Sequence, residues 1–290
     1  MERQQRLRML SAVIALVALM GVAAWWVSQR SEAVHTPDAS DGLRIVSLVP
    51  SVTHSIYEMG AGEVLVGRTE YCRIPEGDSV PIVSSAVKPN IEKIAALAPD
   101  RVLASGLIPP EDVETLRKLG MDVWVLESPR SFEDICKQFV RIGELVGSSS
   151  RAREVVDSVR LQVSEIRSRR ARGTTPVKIF MQLGADPLFA VVPGYYMDDL
   201  IAYVGGVNVC EGLTSGMVGR ETVVSRDPEA LFIVSMGVPV EDEMRRWKEF
   251  GQMSAVRSGR IFTLPAEKVS EPTPVNFLQT LQLMEHDLWK

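Results

Sequence analysis

The stretch from Arg44 to Ser105 constrains the fold most. Arg44-Ile45-Val46-Ser47-Leu48-Val49-Pro50-Ser51 opens it, and an amphipathic run follows that Gly60-Ala61-Gly62 closes. Val64-Leu65-Val66-Gly67-Arg68-Thr69-Glu70-Tyr71 comes next, and after a loop Pro89-Asn90-Ile91-Glu92-Lys93-Ile94 leads to Pro99-Asp100-Arg101-Val102-Leu103. Short β-branched runs that alternate with helical stretches are the pattern of βαβ units, and those units build a parallel sheet. In open sheets of this kind ligands sit beyond the carboxyl ends of the strands. Pro50, Ser51 and Tyr71 are therefore the first candidates for ligand contact.

The same reading predicts strands over 45–49, 64–69, 81–84, 102–104 and 123–126. Helices are expected over 53–59 with Ser51 as N-cap, over 91–97 capped by Asn90, over 110–119 closed by Gly120, and over 132–146. Residues 148–172 break the alternation. They carry many charges, no strand signal, and Val155, Val159, Val163 and Ile166 at helical spacing. This is one amphipathic helix of about 20 residues or more, ~30 Å long. Beyond it the alternation returns, with strands over 177–183, 188–192, 231–235 and 261–264 and helices over 196–203 and 275–289. The expectation is an α/β fold of two Rossmann-like lobes, residues 43–147 and 173–290. Each holds a parallel sheet, and the single long backbone helix over 148–172 joins them.

The amino terminus points to export. Arg3, Arg6 and Arg8 precede an uncharged apolar run from Met9 to Val27 that ends in Trp25, Trp26 and Val27. As a helix that run spans ~28 Å, close to the ~30 Å hydrocarbon thickness, and flanking positive charge holds its start in the cytoplasm. Its length suits a retained membrane anchor, while Ser31-Glu32-Ala33 also offers a site for cleavage after Ala33. Residues 31–42 are polar and aperiodic and read as a flexible tether, so residues 1–42 form a signal or anchor plus tether.

Several functions are excluded. The net charge of −5 and the dispersed basic residues argue against nucleic acid. Cys72, Cys136 and Cys210 are widely spaced and odd in number, so no disulfide framework is expected. His35, His54 and His286 are too few for a transition-metal centre, and His54 reads as a first-turn surface residue of its helix. There is no Gly-x-Ser-x-Gly elbow, P-loop or His-Glu-x-x-His, and Gly60-x-Gly62 lacks the third glycine of a dinucleotide site. No catalytic residue, resident metal or cofactor is expected.

Taken in order, the motifs resemble the substrate-binding proteins of ABC importers for cobalamin, haem and iron-siderophore complexes, closest to the cobalamin-binding branch. The segments named above carry the likeness in the first half. Phe180-Met181-Gln182-Leu183-Gly184, Gly205-Gly206-Val207-Asn208, Gly219-Arg220-Glu221, Asp227-Pro228 and Ala255-Val256-Arg257-Ser258-Gly259-Arg260-Ile261 carry it in the second. The resemblance implies two rigid lobes that hold a ligand between them and do no chemistry on it. It also implies one exposed glutamate per lobe, by motif Glu92 and Glu221, that meets arginines of a permease dimer. Charge complementarity of that kind mainly sets orientation and on-rate.

By the same resemblance the ligand contacts are Pro50, Ser51, Tyr71, Tyr195, Tyr196 and Met217, although a tyrosine or methionine also suits core packing. Trp124, Trp247 and Trp289 fall outside these motifs, and Leu183 stands where a phenylalanine is often found. That departs from the aromatic cradle of cobalamin-binding relatives. Tyr71 with Met217 also suits haem iron, because both side chains serve as axial ligands. A corrinoid, a haem and an iron-siderophore all stay open, and a membrane-tethered ligand sensor is the alternative of another class. The expected protein is exported, monomeric and not an enzyme.

Overall fold

The computed structural model describes residues 42–171, 175–237 and 239–290. The apolar run over 9–27, the cleavage site at Ala33 and the tether up to residue 41 lie outside the described residues. Among the described residues no helix is long and apolar enough to cross a membrane.

The β-branched runs of the amino-terminal half form five strands: β1 (Ile45–Ser47), β2 (Leu65–Thr69), β3 (Ile82–Ser84), β4 (Arg101–Ser105) and β5 (Asp122–Leu126). They lie in the order β3-β2-β1-β4-β5, and every pairing is parallel. β1 is buried along its whole length, as a central strand covered on both faces must be. The direction of winding reverses at β1, so the segments that leave β1 and β4 part company there and open a crevice at the carboxyl edge. The helices between these strands are α1 (Pro50–Glu58), α2 (Ile91–Ala96), α3 (Pro110–Lys118) and α4 (Phe132–Leu145).

α1 starts earlier than the sequence reading has it. Val49, in extended conformation, is the N-cap residue and makes no side-chain bond, while Pro50 opens the first turn. Proline loses nothing there, because the first N–H of a helix has no intrahelical partner. Ser51, expected as the cap, sits inside the first turn. Asn90 does cap α2, accepting the Lys93 N–H at 2.9 Å. α5 (Ser149–Ala171) is 23 residues long, ~35 Å, and buries Ala152, Val156, Val159, Val163 and Ile166 on one side.

The carboxy-terminal half is built on β6 (Val177–Ala185), β7 (Leu188–Ala190), β8 (Gly206–Asn208), β9 (Ala230–Val234) and β10 (Ile261–Leu264). Its sheet runs β10-β9-β6-β7, with β8 also on β6. β8 and β9 pair parallel to β6, and β10 parallel to β9, but β7 folds back antiparallel on Gln182–Ala185. This corrects the expectation of a second wholly parallel sheet. Asp186 and Pro187 are the only residues between β6 and β7, and a two-residue link permits only a hairpin. The helices here are α6 (Tyr196–Tyr203), α7 (Arg220–Arg226), α8 (Val240–Lys248), α9 (Ser254–Arg257), α10 (Ala266–Ser270) and α11 (Pro274–Leu288).

One buried cluster runs from Ile45 and Ile56 through α4 and α5 to Met181, Phe232 and Leu281, so both halves share a core. The Phe132 and Phe277 rings lie 4.6 Å apart with Tyr203 edge-on to both, and the Phe132 N–H donates to Asp199 at 2.7 Å. α4, α6 and α11 thereby meet in a tight aromatic joint beside the long helix.

Candidate functional site

In βαβ units the helices run back against the strands, so each helix begins at the carboxyl edge of its sheet. That edge carries most of the candidate residues. Pro50 and Ser51 are half-buried in the first turn of α1, just beyond β1. Tyr71 lies two residues past β2 with 59% of its surface exposed.

The turn that presents Tyr71 rests on buried polar side chains. Thr53 Oγ1 lies 2.8 Å from Ser47 Oγ and 3.0 Å from Cys72 Sγ. Thr69 Oγ1 lies 3.2 Å from the same sulfur and accepts the Tyr71 N–H at 3.2 Å. From the outside, Arg68 donates to the carbonyls of Thr69 at 3.1 Å and Cys72 at 2.9 Å, which closes the turn. Tyr71 is therefore an exposed ring on a fixed backbone, the arrangement that lets an aromatic group bind without paying for its own ordering.

In the carboxy-terminal half Met217 is 62% exposed. Its backbone segment is stitched to β7, with Ala190 N–H to Gly216 O at 2.8 Å and Val218 N–H to Leu188 O at 3.2 Å. Gly216 makes that approach possible, since a Cβ there would lie 2.6 Å from the Phe189 ring. Tyr195 is exposed just ahead of α6. Tyr196 behaves differently: its ring packs on the shared core and its hydroxyl donates to the Val269 carbonyl. Burial pushes that hydroxyl's pKa well up, so it stays protonated and committed to the protein interior.

Beneath this second rim lies a buried charge network. Glu243, 1% exposed, accepts from Arg220 at 2.5 Å, Gln182 at 2.7 Å and Arg246 at 3.0 Å. Gln182 in turn accepts the Trp247 indole N–H at 2.7 Å, and the Arg220 guanidinium stacks 4.6 Å from that ring. Burial works to raise the Glu243 pKa, but the bonds from Arg220 and Gln182 and the arginine charges outweigh it and hold the group below the ordinary range.

Glu92 and Glu221 occupy equivalent places. Each is the second residue of its helix, α2 and α7, and each is exposed at the carboxyl edge of its own sheet. A negative charge in the first turn complements the helix dipole, which favours both carboxylates there.

Two residues on the same edge escaped the sequence reading. Leu107, 71% exposed, follows β4, and Met236, 48% exposed, follows β9. The signal was present, because each is the first large apolar residue after a strand's carboxyl end. His54 is a correction. It is not a first-turn surface residue but half-buried in the middle of α1, with Nδ1 3.0 Å from Glu271 of the other half. Arg73, two residues beyond Tyr71, lies 3.8 Å from Glu267 in α10. The two carboxyl edges therefore meet at one end. Among the described residues no group of histidine, cysteine and acidic side chains could hold a metal ion. Cys72, Cys136 and Cys210 are all buried and unpaired by disulfides, and burial pushes the Cys136 thiol up to about 12 and the Cys210 thiol up to about 11. Cys136 and Cys210, raised in this way, remain protonated and are not nucleophiles.

Comparison with known proteins agrees with this fold. A family model described as "Periplasmic binding protein" matches residues 45–268. The vitamin B12-binding protein of Vibrio cholerae is 25% identical over 235 residues, 80% of this chain and 84% of that protein. A solved structure of a possible iron-binding (periplasmic solute-binding) protein from Staphylococcus epidermidis superposes with a TM-score of 0.75 at 24% identity, covering 85% of this chain and 98% of that one. A periplasmic haem binding protein of Vibrio cholerae superposes with a TM-score of 0.78 at 18% identity, covering 86% and 99%. At these identities the two structures establish a common fold.

Proposed function

The chain belongs to the periplasmic binding protein family, a family of ligand carriers rather than enzymes, and on that premise we propose that it captures a corrinoid and delivers it to an ABC permease. In this reading residues 43–147 and 173–290 act as lobes, the helix over 148–172 is the strut between them, and the ligand sits between the two carboxyl edges. The observation that carries the reading is the placement of Glu92 and Glu221. Two exposed carboxylates, each the second residue of a helix, share their edges with the exposed Tyr71 and Met217. Such a pair reports both the position and the separation of the lobes to a permease dimer.

The vitamin B12-binding relatives favour a corrinoid. Pro50, Ser51, Tyr71, Tyr195 and Met217 would line the ligand, with Tyr196 supporting them from behind. One observation favours haem as a second reading: a phenol on one edge and a thioether on the other, both exposed, are competent axial ligands for iron. The protein acts outside the cytoplasm as a monomer, held to the membrane through residues 9–27 or released by cleavage after Ala33. The aromatic joint of Phe132, Tyr203 and Phe277 limits lobe closure to a small hinge motion.

The test is to titrate cyanocobalamin and haemin separately into the full-length chain in detergent, following ligand absorbance and heat. Saturable corrinoid binding without a haem response is the expected result. A haem band shift that disappears in Tyr71→Ala would transfer the protein to the haem reading, and silence with both would refute the corrinoid and haem readings together. For delivery, Glu92→Ala with Glu221→Ala should abolish uptake while leaving ligand affinity unchanged. A fall in affinity would refute the docking assignment.

A further inference from the structure

A cluster of polar side chains joins the halves at the closed end of the carboxyl edges. His54 of α1 points across the junction with Nδ1 3.0 Å from Glu271 Oε2 and 3.2 Å from the Asn276 side-chain amide. Its other nitrogen, Nε2, lies 3.6 Å from Glu58 Oε1, one turn along the same helix. Glu58 Oε1 also accepts from the Thr273 hydroxyl of the other half at 2.8 Å, while its Oε2 is buried and has no hydrogen-bond partner among the described residues. Both carboxylates are nearly enclosed, with side chains 11% and 12% exposed. Arg73, bridged to Glu267, faces the histidine from the loop beyond Tyr71, and the buried Tyr196 hydroxyl faces Glu271 from α6.

The partners of the ring change with its charge, because a neutral ring can donate once and a charged ring twice. The Asn276 amide is oriented by donating to the Glu271 carbonyl at 2.9 Å, so it offers an N–H to Nδ1. A neutral ring with Nδ1 bare accepts that N–H but turns a lone pair towards Glu271, and one with Nε2 bare turns a lone pair towards Glu58, so every neutral form gives up one of the two carboxyl contacts. A charged ring gives Nδ1–H to Glu271 and Nε2–H towards Glu58, tying α1 to the loop ahead of α11. We propose that His54 is a positioning residue, the movable part of a protonation-dependent latch between the halves that holds them closed in mild acid and releases them as the pH rises through neutral. The bond to Glu271 raises the His54 pKa above its ordinary value against the opposing effects of burial and Arg73, and burial pushes Glu58 up to about 7. Both groups thus keep a proton into the neutral range. The latch stands on the contacts alone; its bearing on ligand release rests on the carrier reading.

The test needs no ligand and no permease, so its failure leaves the carrier reading untouched. Spin labels go on the full-length chain in detergent at Glu111→Cys and Glu241→Cys. Both positions are exposed at the carboxyl edge of their halves, and the three native cysteines are buried. The wild-type inter-label distance should be single and narrow at about pH 5.5 and should shift longer and broaden at about pH 8.5, across the range in which histidine titrates. In His54→Gln the distribution should be the same at both pH values and resemble the wild type in base. Glu271→Gln should behave alike and serves if the first variant folds poorly. A wild-type distribution that ignores pH, or a pH shift that survives in both variants, overturns the proposal.

Discussion

The turn that presents Tyr71 in the amino-terminal half rests on hydroxyls and a thiol, whereas the segment that presents Met217 and Glu221 in the carboxy-terminal half rests on buried charge. Thr53, Cys72 and Thr69 are neutral and individually weak, so their network tolerates the loss of a member. Glu243 with Arg220, Arg246 and Gln182 is different, because Glu243 and Arg220 are both enclosed and loss of the carboxylate strands the guanidinium out of water, while Arg246 keeps contact with solvent. The contrast follows from the sheets. The first, wholly parallel, supplies its edge from strand ends already fixed by their neighbours. The second interrupts that edge with the β6–β7 hairpin, and the chain that returns from β8 to β9 needs another anchor. Arg220, the first residue of α7 and the neighbour of Glu221, provides it.

The contrast is broken most severely by Glu243→Ala. It leaves Arg220 enclosed without its carboxylate and should cost about 3–5 kcal/mol, read as a fall in the urea midpoint. A loss under about 1 kcal/mol would mean that the second edge does not depend on buried charge. Thr53→Val on the other side removes one hydroxyl from a neutral network and should cost about 1–2 kcal/mol by the same measurement. A loss as large as that of Glu243→Ala would erase the distinction between the edges.

The junction between them should respond to pH. Burial raises Glu58 to about 7, so its folded form favours the protonated acid, and stability falls as the pH climbs from the ordinary carboxylate range through neutral. His54, raised by its bond to Glu271, stabilises the fold below its ordinary value and loses that contribution as the pH passes through the raised one. Both act in one direction, so unfolding free energy should drop by on the order of 1–2 kcal/mol between about pH 5 and 8. Glu58→Gln should flatten most of that slope, and a slope of opposite sign would contradict the assignment. The smallest effect on stability belongs to Tyr71→Ala, within about 0.5 kcal/mol for an exposed ring. The same change should weaken ligand binding measurably, and unchanged titrations would remove Tyr71 from the site.

Much of the fold was legible because it rests on local pattern. The β-branched runs at 45–47, 65–69 and 261–264 and the helix at 196–203 are where periodicity puts them, Asn90 opens its helix, and Gly60 and Gly120 close theirs as their chemistry requires. The start of α1 was misread because Pro50 opens a helix as well as Ser51 caps one. α7 is only seven residues long and six of the nine residues of α8 are charged, so neither shows an apolar run, although the spacing of Val240, Met244 and Trp247 and the acidic first turn and basic last turn of α8 were visible. The antiparallel β7 hid in a run that looks like any other strand, and only the two-residue link betrays it. The site divides in the same way. Tyr71 was proposed from its place past a strand end, whereas Glu92 and Glu221 came from the family resemblance and stand at equivalent first turns. The partner of His54 stands 217 residues away, and no local pattern announces it.

The central claim is that one ligand is held by both carboxyl edges at once. Hydrogen–deuterium exchange of the full-length chain, with and without whichever of cyanocobalamin and haemin it binds, tests this directly. The account predicts simultaneous protection of the segments around Tyr71 and around Met217, with no change in the surface groove beside Arg167, Tyr203 and Val207. Protection confined to one edge, or found in that groove instead, would contradict it.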